Sequence, residues 1–134
     1  MSVFAGPFVI SLATADRRRA YDFYRDAFGF EAFGEAADDG VPEPLQFRLG
    51  DGAVLMFIPT GGFGWVLGDR AAAPAGTSEC LLSLSVASEA EVDGAVGRVG
   101  AAGGDVLAEP VRQPWGYTAT CADPDGHLWQ IVTD

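Results

Sequence analysis

One pattern of strand, capped helix and turn occurs twice in this chain of 134 residues, so the fold must be one that two copies of a single unit can build. In the first copy residues 8–13 alternate as a strand does, with Ile10 and Leu12 on one face and Val9, Ser11 and Ala13 on the other. Asp16 then offers a side-chain oxygen to cap a helix. Ala20, Phe23, Tyr24, Ala27 and Phe28 recur at helical spacing as one apolar stripe, and Gly29 supplies the stop. The second copy follows the same grammar, with Leu82, Leu84 and Val86 on one strand face and Leu81, Ser83 and Ser85 on the other. Ser88 stands 72 residues after Asp16 and forms a Ser-x-x-Glu capping box with Glu91. Val92, Ala95, Val96 and Val99 each stand 72 residues after Ala20, Phe23, Tyr24 and Ala27.

Each copy continues in extended segments. In the first, residues 30–34 read as a strand, 38–44 as a polar connection, and 45–49 and 53–58 as strands around the Gly50-Asp51-Gly52 turn. The counterparts are a strand at 105–108, a connection at 110–114, and strands at 117–121 and 127–132 around Asp123-Pro124-Asp125-Gly126. Gly126 lies 74 residues after Gly52, so the later part of copy two holds two extra residues. The unit is β-α-β-β-β, in residues 1–59 and again in 80–134. Residues 60–79, rich in Gly, Ala and Pro, read as a linker or a functional lid.

Composition narrows the function classes. A formal charge of -11 opposes phosphate-rich partners, so no nucleic acid is expected. The apolar runs are too short to cross a bilayer and the N-terminus has no signal-peptide pattern, so a cytoplasmic protein without a membrane partner is expected. Cys80 and Cys121 are too few for a disulfide framework or a metal knuckle. Gly61, Gly62, Gly64 and Gly68 lack the Lys-Ser/Thr of a phosphate loop, and no nucleophile stands in a recognisable motif. Asp123 and Asp125 resemble a fragment of a calcium loop with no downstream glutamate, and His127 has no second histidine to partner it; all three read as turn residues.

The duplicated unit, the helix Ala20-Tyr21-Asp22-Phe23-Tyr24-Arg25-Asp26-Ala27-Phe28-Gly29-Phe30, the run from Ser88 to Val92, the Trp115-Gly116-Tyr117 segment and the final Asp-Pro-Asp-Gly-His turn together resemble the vicinal oxygen chelate superfamily. That superfamily comprises glyoxalases, bleomycin-resistance-type proteins and extradiol dioxygenases. The resemblance implies an α+β fold in which two tandem βαβββ units form an open, curled, barrel-like sheet of eight strands. Helices would cover its convex face, its concave face would hold a ligand, and the protein would be a homodimer. It also implies where a metal would sit in metal-dependent members, near the start of the first strand and four residues after the turn glycine in each unit. Those positions are Val9 and Met56 in copy one, Leu81 and Gln130 in copy two. Val and Leu have no donor atom, and a thioether with one neutral amide is a poor set for a divalent ion, so no metal and no cofactor are expected.

If Ile10, Leu12, Leu82, Leu84 and Val86 pack under the helices, the alternate residues face the cleft. They are small or apolar, with Gln130 as the main polar group, and Val9, Met56 and Leu81 join its walls. Trp65, Trp115 and Tyr117 are candidates to stack on a flat ligand. Phe47 is a further candidate, although the alternation leaves open whether Phe47 or Arg48 faces the cleft. The function expected is binding of an aromatic or amphipathic small molecule, to sequester or carry it without metal. The alternative is a glyoxalase-like or dioxygenase-like enzyme, a lyase or oxidoreductase, with an atypical or absent metal site.

Overall fold

The structure, a computed structural model, describes residues 3–134. Two four-stranded mixed sheets carry the two units. Strands β1 (Phe8–Thr14), β2 (Ala32–Phe33), β3 (Leu45–Leu49) and β4 (Ala53–Pro59) form the first sheet in the order β1-β4-β3-β2, with helix α1 (Arg17–Phe28) between β1 and β2. A short helix α2 (Thr60–Val66) follows. Strands β5 (Leu82–Ser85), β6 (Asp105–Gln113), β7 (Gly116–Ala122) and β8 (Leu128–Thr133) repeat the order as β5-β8-β7-β6, with helix α3 (Glu89–Ala101) after β5.

The repeat extends to residue register. Ser11 pairs with Met56 in the parallel β1–β4 ladder, and Ser83 pairs with Gln130 in the parallel β5–β8 ladder. Met56 also opposes Gln46, as Gln130 opposes Thr120. The two rows are therefore equivalent positions in two equivalent sheets.

Both helices start and bury as their sequences dictate. The Asp16 carboxylate accepts the Arg19 amide at 3.0 Å, and Gly29 ends α1 at φ 67, where its amide donates to the Arg25 carbonyl. The Ser88 hydroxyl accepts the Glu91 amide at 3.2 Å, while the Glu91 carboxylate reaches back to the amide of Ala87. Ala20, Phe23, Tyr24 and Ala27 of α1 and Val92, Ala95, Val96 and Val99 of α3 are all buried. They meet Leu12, Phe47, Leu55 and Phe57 from the first sheet and Ala119, Cys121, Trp129 and Ile131 from the second in one continuous core. The two helices also pack on each other. Gly104, just after α3, lies where this packing is tightest: a methyl group there would stand 2.5 Å from the Ala122 carbonyl and 2.7 Å from the Phe23 ring.

Four local readings need correction. The strand expected at 30–34 is only Ala32–Phe33. The connection expected at 110–114 is mostly strand, because β6 runs on through Pro110 to Gln113 with two register shifts that absorb the residue lacking an amide proton. The polar connection at 38–44 hides Val41, fully buried, with the Arg17 guanidinium holding the Val41 and Pro42 carbonyls at 2.9 and 2.8 Å. The segment at 60–79 begins with α2, which packs on β1 and β4 and brings Gly62 against Ile58.

The units are joined by the closing turn. The Asp123 carboxylate, 2% exposed, accepts the amides of Asp125 and His127 through one oxygen and the Tyr24 hydroxyl through the other, at 2.6 Å. That hydroxyl in turn accepts the Trp129 indole N–H at 2.9 Å. Asp125 accepts from the Thr14 hydroxyl at 2.6 Å, the Ala15 amide at 2.9 Å and Arg19 at 3.1 Å, and the His127 Nε2–H donates to the Ala13 carbonyl. One turn of unit two thus grips the end of β1 and the start of α1 in unit one. Burial raises the Asp123 carboxyl above its ordinary 3.8, against the opposing effect of the Tyr24 hydroxyl. Burial beside Asp123 likewise holds the Tyr24 hydroxyl neutral well past its ordinary range.

Tyr24→Phe should cost about 2–3 kcal/mol in a urea unfolding experiment, because it strips a partner from a buried carboxylate and from a buried indole together. Gly104→Ala should be destabilising by at least a similar amount, since a backbone carbonyl is among the atoms that must move. Asp123 also sets a pH dependence. With its folded pKa raised, the native state holds this proton longer than the unfolded chain does, so stability falls as pH rises from 3.8 through the raised value and is level beyond it. Melting temperatures of wild type and Asp123→Asn compared across that window should show the wild type losing ground as pH rises, and the opposite slope would refute the assignment.

Candidate functional site

Alternation in the sheets sends one set of side chains to the helices and leaves the other on an open face. In the first sheet Ile10, Leu55 and Phe47 lie in one cross-strand row, and Leu12, Phe57 and Leu45 in the next, all turned to the core. The intervening rows are Val9, Val54 and Arg48, then Ser11, Met56, Gln46 and Phe33. In the second sheet the open rows are Ser83, Gln130 and Thr120, followed by Ser85, Val132 and Thr118.

The expected cleft residues divide accordingly. Val9, Met56 and Gln130 are on the open faces, and Leu81 precedes β5 in the same alternation, 49% exposed. The Gln130 carboxamide oxygen accepts weakly from the Ser83 hydroxyl at 3.5 Å. Phe47 is not a cleft residue: it is fully buried among Tyr24, Phe30 and Phe57, and Arg48 takes the open side. The alternation of Leu45, Phe47 and Leu49 with Gln46 and Arg48 separates the two sets, and the pairing of Phe47 with the buried Leu55 fixes which set faces the core. Tyr117 also turns to the helix side, with its hydroxyl donating to Asp93 of α3 at 2.8 Å, a bond that raises its pKa. Trp65 on α2 and Trp115 between β6 and β7 stand out from the surface, 82% and 62% exposed. Cys80 is exposed; Cys121 is buried in the core, where loss of water pushes its thiol up to about 11 and leaves it a poor nucleophile.

Sequence reasoning passed over Gln46, Arg48 and Phe33 as a group. The Arg48 guanidinium lies 4.2 Å from the centre of the Phe33 ring. Arg48 also lines a cavity of about 350 Å³, together with Phe30, Glu31, Leu49 and, from the second unit, Leu84.

The four positions that the family resemblance points to do not suit a divalent ion. Val9 and Leu81 have no donor atom, and Met56 and Gln130 offer a thioether and an amide. Asp123, Asp125 and His127 bring ligand atoms within 4.8 Å of one another. Their carboxylate oxygens accept from Tyr24, Thr14 and four protein nitrogens, and the histidine donates through Nε2 to Ala13, so these side chains form the joint between the units.

No helix among the described residues is long and apolar enough to cross a membrane. Comparison with known proteins places this geometry. No curated protein sequence matches the chain. Among solved structures, a hypothetical protein SA1046 from S. aureus is 25% identical, with a TM-score of 0.82 over 99% of this chain and 96% of that one. A glyoxalase-related enzyme from Fulvimarina pelagi is 27% identical, with a TM-score of 0.82 over 98% of this chain and 89% of the other. TnmS3, an antibiotic binding protein from Streptomyces sp. CB03234, shares the fold at 23% identity and a TM-score of 0.68, over 99% of this chain and 98% of its own. The family model for the Glyoxalase/Bleomycin resistance protein/Dioxygenase superfamily matches residues 7–131, and with two βαβββ units in matching register the chain belongs to that superfamily.

Proposed function

We propose that the protein is a small-molecule binding protein of the glyoxalase/bleomycin-resistance type, which sequesters or carries an aromatic or amphipathic compound without a metal. The observation that carries this reading is the make-up of the open faces. Small and apolar side chains leave room there, the polar groups are neutral amides and hydroxyls apart from Arg48, and the four expected ligand positions offer no metal set. Gln130, able to donate and accept, would orient the ligand beside Met56, Val9 and Leu81, and the exposed rings of Trp65 and Trp115 would stack on it. Outside that set, Phe8, Leu107 and Val111 are large apolar side chains left at the surface, which supports a homodimer. The antibiotic-binding TnmS3 has the same fold and supports the reading only to that extent.

A second reading has its own support, the 27% identity to a glyoxalase-related enzyme. It makes the chain a glyoxalase-like or dioxygenase-like enzyme with an atypical or absent metal site, with Gln130 as a polar group at the substrate or the metal.

Native mass spectrometry of the protein purified from its own cells, with elemental analysis of the same sample, separates the two. The binding reading expects a dimer mass carrying an organic compound and no stoichiometric divalent metal. A stoichiometric metal lost with Gln130→Leu, together with turnover that chelator abolishes, would overturn it.

A further inference from the structure

Arg48 is the only charged residue in the four strands of the first sheet. The chain has eight cationic side chains, all arginine, set against 19 acidic ones. Most are spent within the protein: Arg17, Arg19, Arg25 and Arg112 pair with carboxylates, and Arg18 and Arg98 donate to backbone carbonyls. Arg48 is different. Its guanidinium lies over the ring of Phe33, at 4.2 Å, and enters no ion pair among the described residues.

The nearest candidate partner is declined. Glu31 stands beside Arg48 across the β2–β3 ladder, where the Arg48 amide donates to the Glu31 carbonyl at 3.2 Å, yet the two side chains form no ion pair. A guanidinium stacked on an aromatic ring keeps its N–H edge free while losing rotational freedom, the condition in which its planar fork best matches a carboxylate. Apart from Glu31 its surroundings are apolar or neutral: Val54 and Val9 share its row, and Gln46 and Met56 occupy the next. The cavity of about 350 Å³ that it lines lies beside this face rather than on it, walled otherwise by Gly29, Phe30, Glu31, Gly50 and the helix-side Leu49 and Leu84, and its volume is within the size range of small-ligand sites.

We propose that Arg48, stacked on Phe33 at the edge of this cavity, anchors an anionic group of the ligand, so that the protein selects flat apolar compounds bearing a carboxylate. This rests on the ligand-binding reading and names the chemical class it would take. The net charge of -11 repels such a compound at long range, so selectivity has to come from local contact at Arg48 rather than from steering. Glu31, on the rim of the same cavity, opposes the anion and lowers its affinity.

The test uses naphthalene-2-carboxylate and its methyl ester as probes, titrated into the full chain by calorimetry. Wild type should bind the acid at least about tenfold more tightly than the ester, the size of one charge-assisted hydrogen-bonded contact. Arg48→Gln should bring the two within about twofold, and Arg48→Lys should keep part of the preference because it retains the charge without the fork. Glu31→Gln should strengthen acid binding and leave the ester alone, a result that a purely structural Arg48 would not produce. If both probes bind wild type equally, or Arg48→Gln keeps the preference, the anion anchor is refuted and the binding protein stands. If neither probe binds, the binding reading fails and the anchor with it.

Discussion

A buried carboxylate sits at the joint of this molecule. Asp123 has almost no contact with water and is made tolerable by two backbone amides of its own turn and by one hydroxyl, that of Tyr24, which lies 99 residues earlier in the chain. Such a group costs several kcal/mol to leave unpaired, so the two βαβββ units cannot shift against each other without exposing that cost. The Tyr24 ring also touches Phe23, Phe28, Phe47 and Phe57, which ties the polar joint to the middle of the aromatic core. Neighbouring contacts from Asp125 and His127 to Thr14, Ala15 and Ala13 reinforce the same seam. Asp123, Asp125 and His127 thus gather three chemically promising side chains whose shared work is structural.

The duplication makes the two halves informative about each other. Equivalent rows carry Ser11, Met56 and Gln46 in the first sheet, Ser83, Gln130 and Thr120 in the second. Side chains facing the helices keep one character in both copies, since each must fill space beside a helix at close to solid density. Those on the open faces have diverged, from thioether to amide at Met56 and Gln130 and from amide to hydroxyl at Gln46 and Thr120. The second copy has no arginine on its open face, because Arg112 pairs with Tyr117 in a row turned toward α3, its guanidinium beside the Tyr117 ring.

Much of this was legible in the sequence, for reasons that differ from element to element. The stripe from Ala20 to Ala27 and its echo from Val92 to Val99 are periodic and capped, so local chemistry alone specifies those helices. The parity of β1 and β5 was readable because their open-face residues are small. β6 was not, because a proline normally ends a strand and only the observed register shifts let Pro110 stay within one. Val41 is a single apolar residue in a polar stretch, and no period marks it as buried. The site was legible only where alternation is clean: Met56 and Gln130 follow from the turn glycines, whereas Phe47 and Arg48 needed the pairing of Phe47 with Leu55 to fix their sides. The joint at Asp123 joins residues a hundred positions apart, and nothing local in a sequence announces such a contact.

The division of each strand into a packed side and an open side has a consequence for how such chains change over generations. Stability resides on one side of the pleat, and the other side, where we propose that recognition takes place, is left free of that demand by the backbone ladder between them. Substitutions at Val9, Gln46, Arg48, Met56 or Gln130 can therefore accumulate with little penalty to folding, since none belongs to the buried core. A body of this kind is a reusable mould: the outward rows of the same two sheets can be rewritten one at a time without disturbing the core.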